Sequence, residues 1–385
     1  MQLTQSHSDQ VIAFTRELVR AKSLPGQERD AALVCERWMR ELGYDEVWID
    51  RYGSVVARRH GSRPGRTLHF DGHTDTVPAT SLDQWQHDPF GGELSDGKIW
   101  GRGSSDMKGP LAAMICAGAF LPREQFAGTL AVSASVGEET LEGPALAAIL
   151  AEHPADFVII GESSELKIGI GQKGRAGIQI ETRGVPAHSS RPEDGVNAVY
   201  RMIDVIERLR AIEPPTDPVL TPGISELVEI VSSPYPGTSM VPDGCRARID
   251  RRLVRGETRD GVLAGFRDAF KDIDGVEVRY LEVALPCYTG EKFVMEDFHA
   301  AWVAPGDSEL VRAVERALAS VGLPIDYFAS RYTANGSASA AMSIPTLIFG
   351  PSTPSVFHTI DEYIEVEQLT QGTQAYLALI VEVLK

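Results

Sequence analysis

Apolar residues along this chain follow two rhythms. At Val11, Phe14, Leu18 and Val19 they recur every three or four positions, which predicts a helix with one buried stripe, and Ser8 or Asp9 can cap it. The same spacing returns at Leu111, Met114, Ile115 and Cys116 behind Pro110, and again from Leu141 to Leu150. It recurs at Leu310, Val314, Leu318 and Val321 between Asp307-Ser308 and Gly322, and at Leu369, Tyr376, Leu377, Ile380 and Leu384 near the end. Elsewhere the rhythm shortens to two or becomes a continuous apolar run. Thr67-Leu68-His69-Phe70, Val132-Ala134-Val136, Phe157-Val158-Ile159-Ile160 and Thr346-Leu347-Ile348-Phe349 read as strands. Strands alternating with helices predict an α/β sheet flanked by helices.

From about Gly177 the texture changes. Ile178, Ile180 and Thr182 alternate, Val199, Met202, Ile206 and Leu209 make a helical stripe, and strands follow at 226–231, 246–253 and 276–283 with a second helix over 261–270. This predicts an α+β insertion over 178–295, splitting a catalytic unit into 1–177 and 296–385. Arg58 to Arg66 reads as a solvated hairpin, and the charged run Arg246 to Arg255 as a solvated sheet face.

Polar residues cluster where the predicted strands stop. The strand through Val136 runs into Gly137-Glu138-Glu139, the one through Ile160 into Gly161-Glu162, and Phe70 leads to Asp71-Gly72-His73-Thr74-Asp75. Asp106 precedes the helix that Pro110 opens, and His358 follows the last apolar strand. In open α/β sheets the carboxyl edge of the strands is where ligands collect. Two imidazoles and several carboxylates form a nitrogen and oxygen donor set suited to zinc, with cobalt or manganese as substitutes. With no sulfur and more carboxylates than one zinc needs, a two-metal site is favoured.

Two glycine patterns mimic nucleotide sites. Lys108 precedes its glycine and no Ser or Thr follows, so 101–110 is not a P-loop. Gly169 to Gly174 spells GxGxxG, yet a strand rather than a helix follows it, which excludes a dinucleotide fingerprint.

Composition narrows the partners. Over 385 residues the formal charge is -17, which disfavours nucleic acid and anionic membrane. Cys35, Cys116, Cys245 and Cys287 are scattered without a CxxC pair, as in a reducing compartment. The first residues lack an apolar signal region and no stretch reaches spanning length, so a soluble, cytoplasmic protein acting on a small molecule is expected.

Six ordered motifs carry a family resemblance: GHTDTVP at 72–78, GRGSSDMKG at 101–109, GEE at 137–139, GES at 161–163, GVPAHSS at 184–190 and FHTIDE at 357–362. With these the chain resembles the dinuclear zinc aminoacylase, acetylornithine deacetylase, succinyl-diaminopimelate desuccinylase and carboxypeptidase G family, over nearly its whole length. The resemblance implies that His73, Asp106 and Glu162 hold one metal and Asp106, Glu139 and His358 the other, with Asp75 supporting His73. It implies Glu138 as the general base that takes a proton from a bridging water and passes it to the leaving amine. It also implies that the insertion is a lid and dimerisation domain whose His188 reaches the partner's site in a homodimer to stabilise an oxyanion. Asn197, Arg252 and Asn335 become substrate contacts, with Arg251 or Arg248 replacing Arg252 if the strand register slips.

One departure concerns specificity. Where desuccinylases resemble T-S-D-G-R-F, this chain reads Thr333-Ala334-Asn335-Gly336-Ser337-Ala338, without the arginine. The stretch 232–258 is more similar to hydrolases linked to selenium metabolism than to the biosynthetic enzymes. The expected activity is therefore metal-dependent cleavage of a C–N amide in an N-acyl amino acid or related compound. The alternatives are a carboxypeptidase or dipeptidase and a catalytically silent metal-binding scaffold.

Overall fold

The computed structural model describes residues 2–385. A nine-stranded mixed sheet forms its first unit, in the order Glu46–Ile49, Val55–His60, Thr129–Ser135, Thr67–His73, Phe157–Ile160, Thr346–Ile348, Ile168–Gln172 and Trp302–Val303, with Tyr327–Ser330 also paired to Ile168–Gln172. Thr67–His73 lies between Thr129–Ser135 and Phe157–Ile160, parallel to both, and Thr346–Ile348 runs parallel to Phe157–Ile160. Four strands thus end at one edge, and their carboxyl ends carry the polar clusters seen in the sequence.

Both faces of this sheet are covered, which is why its strands are apolar runs rather than strict alternations. On one face Leu68, Phe70, Val132 and Ile159 pack against Phe14, Met39, Met114, Val314 and Tyr376 from the helices Gln5–Arg20, Arg29–Glu41, Gly109–Phe120, Glu309–Ser320 and Val366–Val383. On the other, Val158, Ile160 and Ile348 meet Leu146 and Leu150 of the helix Pro144–Glu152. All four cysteines are free and buried. No described helix is long and apolar enough to cross a membrane.

The second unit is an antiparallel sheet in the order Ile224–Ser233, Gly244–Leu253, Gly174–Arg183 and Val276–Tyr280, with Phe298–His299 pairing to the start of Gly174–Arg183. Helices Ala198–Ala211 and Arg259–Phe270 bury Met202, Val205, Phe266 and Phe270 against one face. This sheet extends from Gly174 to His299, a few residues beyond the expected 178 and 295 on each side. The hairpin Glu282–Pro286 with Lys292–Glu296 lies at the end of the expected insertion and passes it by Glu296 alone. It packs Leu285 and Phe293 on Val136 and Leu141 of the first unit, and Tyr288 donates to the Gly53 carbonyl.

Some local expectations change. Thr4 rather than Ser8 or Asp9 caps the first helix, accepting from the His7 amide. The expected hairpin at 58–66 is a crossover instead, because Thr129–Ser135 inserts between Val55–His60 and Thr67–His73. No periodicity within 58–66 could reveal a strand that begins only at Thr129. The GxGxxG stretch lies in the strands Ile168–Gln172 and Gly174–Arg183, so a strand rather than a helix follows its glycines, as expected from Ile178, Ile180 and Thr182.

Candidate metal centre

His73 is the last residue of its strand, and its ring is fixed from behind. Nδ1 lies 2.9 Å from the Asp75 carbonyl, which can only accept, so that nitrogen carries the hydrogen and Nε2 is left facing forward. There Nε2 is 3.2 Å from Asp106 Oδ1, 3.7 Å from Glu162 Oε1 and 3.8 Å from Glu138 Oε2. The second imidazole approaches Asp106 from the opposite side. His358 Nε2 is 3.2 Å from Asp106 Oδ2 and 3.3 Å from Glu139 Oε2. Each oxygen of Asp106 therefore faces a different histidine.

The paired glutamates owe their divergence to a tight turn. Gly137 takes φ +75, a conformation that side-chain-bearing residues resist, and a Cβ there would meet Leu285. Buried Asp75 then caps the turn, one carboxylate oxygen accepting the Glu138 amide at 3.1 Å and the other the Glu139 amide at 2.9 Å. The Asp75 side chain thus holds the glutamate turn and also lies 3.6 Å from His73 Nδ1, the nitrogen its main-chain carbonyl accepts from. Asp106 sits in the turn Ser104–Lys108, with near-extended backbone angles, just before the helix Gly109–Phe120.

The electrostatics are those of crowded anions. Burial, reinforced by Glu162 and Glu139, holds the Glu138 carboxyl well above its ordinary range against the pull of His73. Burial and Asp106 push Glu162 up to about 8. Burial would raise Asp106 too, but hydrogen bonds from His358 and His73 bring it down to about 2. The same carboxylates drive His358 up to about 10, and they lift His73 well above its usual value despite its burial. Among the described residues, no lysine or arginine pairs with Asp106, Glu138, Glu139 or Glu162. Ligand atoms of His73, Glu138 and Glu162, and of His73, Asp106 and Glu139, lie within 4.8 Å of one another. A nitrogen and oxygen set this dense and this short of cations fits a divalent metal.

Sequence reasoning did not assign two residues that hold this cluster. Glu362 is fully buried; its Oε1 accepts the amides of Ser105 at 2.9 Å and Asp106 at 3.1 Å, and its Oε2 lies 2.5 Å from Arg102 Nη1. Arg102 also donates to the Thr359 carbonyl at 3.2 Å, beside His358. Both residues stand inside quoted motifs, GRGSSDMKG and FHTIDE, but 260 positions separate them.

The expected substrate contacts are each engaged within the protein. Asn335 is 2% exposed and spends its amide on the protein, donating to Asp71 and Ser135 and accepting from Gly143. It therefore braces strand ends instead of presenting a free group. Asn197 caps the helix Ala198–Ala211 by accepting from Val199. Arg252 pairs with Asp250 at 2.9 Å in the second unit, Arg251 is buried against Glu257, and Arg248 faces Glu229. Ser337 is buried and accepts a hydrogen bond from Gln172. His188 occupies an exposed loop, where Nδ1 accepts from Ser190, and it pairs with none of the cluster residues.

The likeness to known proteins is extensive. The model of peptidase family M20/M25/M40 matches residues 69–382. A curated succinyl-diaminopimelate desuccinylase from Cereibacter sphaeroides is 30% identical over 380 residues, covering 93% of this chain and 94% of the relative. The uncharacterised Escherichia coli protein YgeY is 29% identical, over 95% of this chain and 92% of its own. Among solved structures, the Bacillus cereus aminopeptidase PepT superposes with a TM-score of 0.76 at 22% identity, covering 98% of this chain and 99% of its own. The Bacillus subtilis protein YxeP, described as a dinuclear metal-binding peptidase, gives 0.73 at 16% identity over 99% of each chain. At those identities the structures speak for the fold alone, but the matched span and the curated relatives speak for descent. The chain belongs to peptidase family M20/M25/M40, a family of metal-dependent hydrolases.

Proposed function

We propose that this enzyme hydrolyses a C–N amide bond in an N-acyl amino acid or a small peptide, with two zinc ions as its cofactor and Glu138 as general base. Cobalt or manganese would substitute for zinc. In this reading His73, Asp106 and Glu162 would hold one cation and Asp106, Glu139 and His358 the other, with Asp106 common to both sets. The observation that carries it is Asp106, whose two oxygens lie 3.2 Å from two different imidazoles. When bound, the cations polarise the scissile carbonyl and acidify a water. The Asp75 carboxylate caps the Glu138 amide, and the Glu138 side chain reaches the cluster beside His73, where it would accept a proton and pass it to the leaving amine.

Glu138 is 3.8 Å from the same His73 nitrogen as Glu162 and so is also within ligand reach. Asp75 restrains its backbone, and Glu162 lies at the more buried strand end, which favours Glu162 as ligand and Glu138 as base. The curated relative named for desuccinylation and the neighbour named as an aminopeptidase both support an acyl–nitrogen bond as the target. Arg252 and Asn197 remain the proposed substrate contacts in the second unit.

A homodimer follows from the same reading. The strand Ile224–Ser233 is an unpaired edge whose Val228 is 61% exposed and whose Ile230 is 48% exposed, a face suited to another copy. His188, exposed and unpaired with its own cluster, would then act at the partner's site. The test is hydrolysis of a panel of N-acetyl, N-succinyl, N-carbamoyl and dipeptide substrates before chelation, after it and after zinc return. Cleavage that disappears with the chelator and returns with zinc is the expected result, and a chelator-insensitive activity would contradict it.

A further inference from the structure

The chain joins the two sheets through strands that lie side by side, and a second, largely buried charged cluster sits there. It enters the second sheet at Gly174–Arg183 and leaves through Phe298–His299, and the two strands pair there, Ala176 opposite Phe298 and Arg175 opposite His299. Arg175 Nη1 lies 2.6 Å from Glu142 Oε1 and its Nη2 3.3 Å from Asp297 Oδ2. His299 Nε2 is 3.5 Å from Glu142 Oε2 and 3.3 Å from Asp297 Oδ1. Asp297 and His299 are nearly inaccessible, and Gly177 leaves the room that the Asp297 carboxylate occupies, since a Cβ there would stand 2.3 Å from it.

Three of these groups find no well-aligned protein hydrogen bond: Glu142 Oε2, Asp297 Oδ1 and His299 Nε2. Among the described residues Arg175 makes the one hydrogen bond to the Glu142 carboxylate. Buried carboxylates depend on such a partner.

Glu142 belongs to the first unit and follows Glu138 by four residues. The turn between them closes with the Leu141 amide donating to the Gly137 carbonyl at 2.9 Å. Its far end is pinned where the Gly143 amide donates to Asn335. Asp75 anchors the near end at Glu138 and Glu139, Leu141 packs with Leu285 and Phe293, and Arg175 supplies the polar hold on Glu142 from the other unit.

We propose that Arg175 is a positioning residue, which from the second unit holds Glu142 and, through the turn at 137–143, sets the place of Glu138. This rests on Glu138 being the base. It adds that the base is seated only when the hinge of the second unit is latched. A misplaced base slows turnover without weakening the substrate's other contacts.

The test compares the wild type with Arg175→Met, Arg175→Lys and Glu142→Gln, all zinc-loaded and checked for an unchanged melting temperature. In Arg175→Met, kcat should fall about tenfold to a hundredfold while KM and zinc content stay at wild-type values. Arg175→Lys should recover most of the loss, and Glu142→Gln should resemble Arg175→Met. Amide hydrogen exchange in peptides spanning 137–143 should quicken in the two impaired variants. Unchanged kcat in folded Arg175→Met, loss confined to KM, loss of zinc, or unaltered exchange at 137–143 would each overturn the inference. The exchange measurement needs no substrate. A wild type inert toward every amide, with exchange that still responds to Arg175→Met, would sink the hydrolase reading and leave the latch standing.

Discussion

Two long strands show how differently this molecule uses its sheets. Thr67–His73 is buried from its second residue to its last, sandwiched between parallel neighbours with helices on both faces, and it ends at a histidine in the charged cluster. Ile224–Ser233 is never fully buried; its residues alternate between half-covered and exposed, and it forms the rim of an antiparallel sheet covered on one face. The first strand has no freedom to slip, so the side chain at its end is placed rigidly. The second offers an unpaired ladder and apolar side chains to whatever meets it. The first arrangement suits chemistry at a strand's end, the second contact along a strand's length.

That contrast breaks most sharply at Glu138. Glu138→Gln keeps the shape of the side chain but removes the base, so zinc content should persist while kcat falls about 10²–10⁴-fold. Near-normal turnover with both metals in place would show that the locked strand ends merely bind metal. Glu362→Gln is the next largest effect. It leaves Arg102 buried without its counter-charge and loosens the Asp106 amide, so zinc affinity should weaken about 10–100-fold. Competition with a chromophoric chelator reads this directly, and unchanged affinity would reduce the Arg102 pair to a packing feature.

A smaller effect should appear in the melting temperature of chelated protein. Burial raises Glu162 from 4.5 to about 8, and Glu28 and Glu362 to about 7. Between those limits the folded state keeps protons that the unfolded chain releases, so stability is highest at low pH within the window and falls as pH climbs from about 4.5 toward 8. Zinc should flatten that slope, because a cation replaces the proton at Glu162. A slope equal with and without zinc would place the metal elsewhere. The smallest effect belongs to the open strand: Val228→Lys should leave zinc binding and the monomer's fold intact while shifting sedimentation toward the monomer. A variant that sediments as the wild type does would remove Ile224–Ser233 from the interface.

The sequence made the cluster legible because its members stand at strand ends. His73, Glu138, Glu139 and Glu162 each close an apolar run, and a sheet with parallel strands brings such ends together without further information. Neighbouring order was less visible, as at 58–66, where a strand from elsewhere in the chain separates two that looked adjacent. Long-range pairs were invisible altogether. Nothing local marks Arg102 and Glu362 as partners or Arg175 as the mate of Glu142, since an ion pair leaves no periodicity. Asn335 shows the same limit, since its motif neighbourhood does not reveal that its amide bonds Asp71, Ser135 and Gly143.

The central claim is a two-cation centre bridged by Asp106. Chelated protein titrated with zinc in a calorimeter tests it most directly, with Asp106→Asn run alongside. The account predicts two equivalents of zinc per wild-type chain and impaired binding of both in Asp106→Asn. One equivalent or none in the wild type, or two undiminished equivalents in Asp106→Asn, would contradict it.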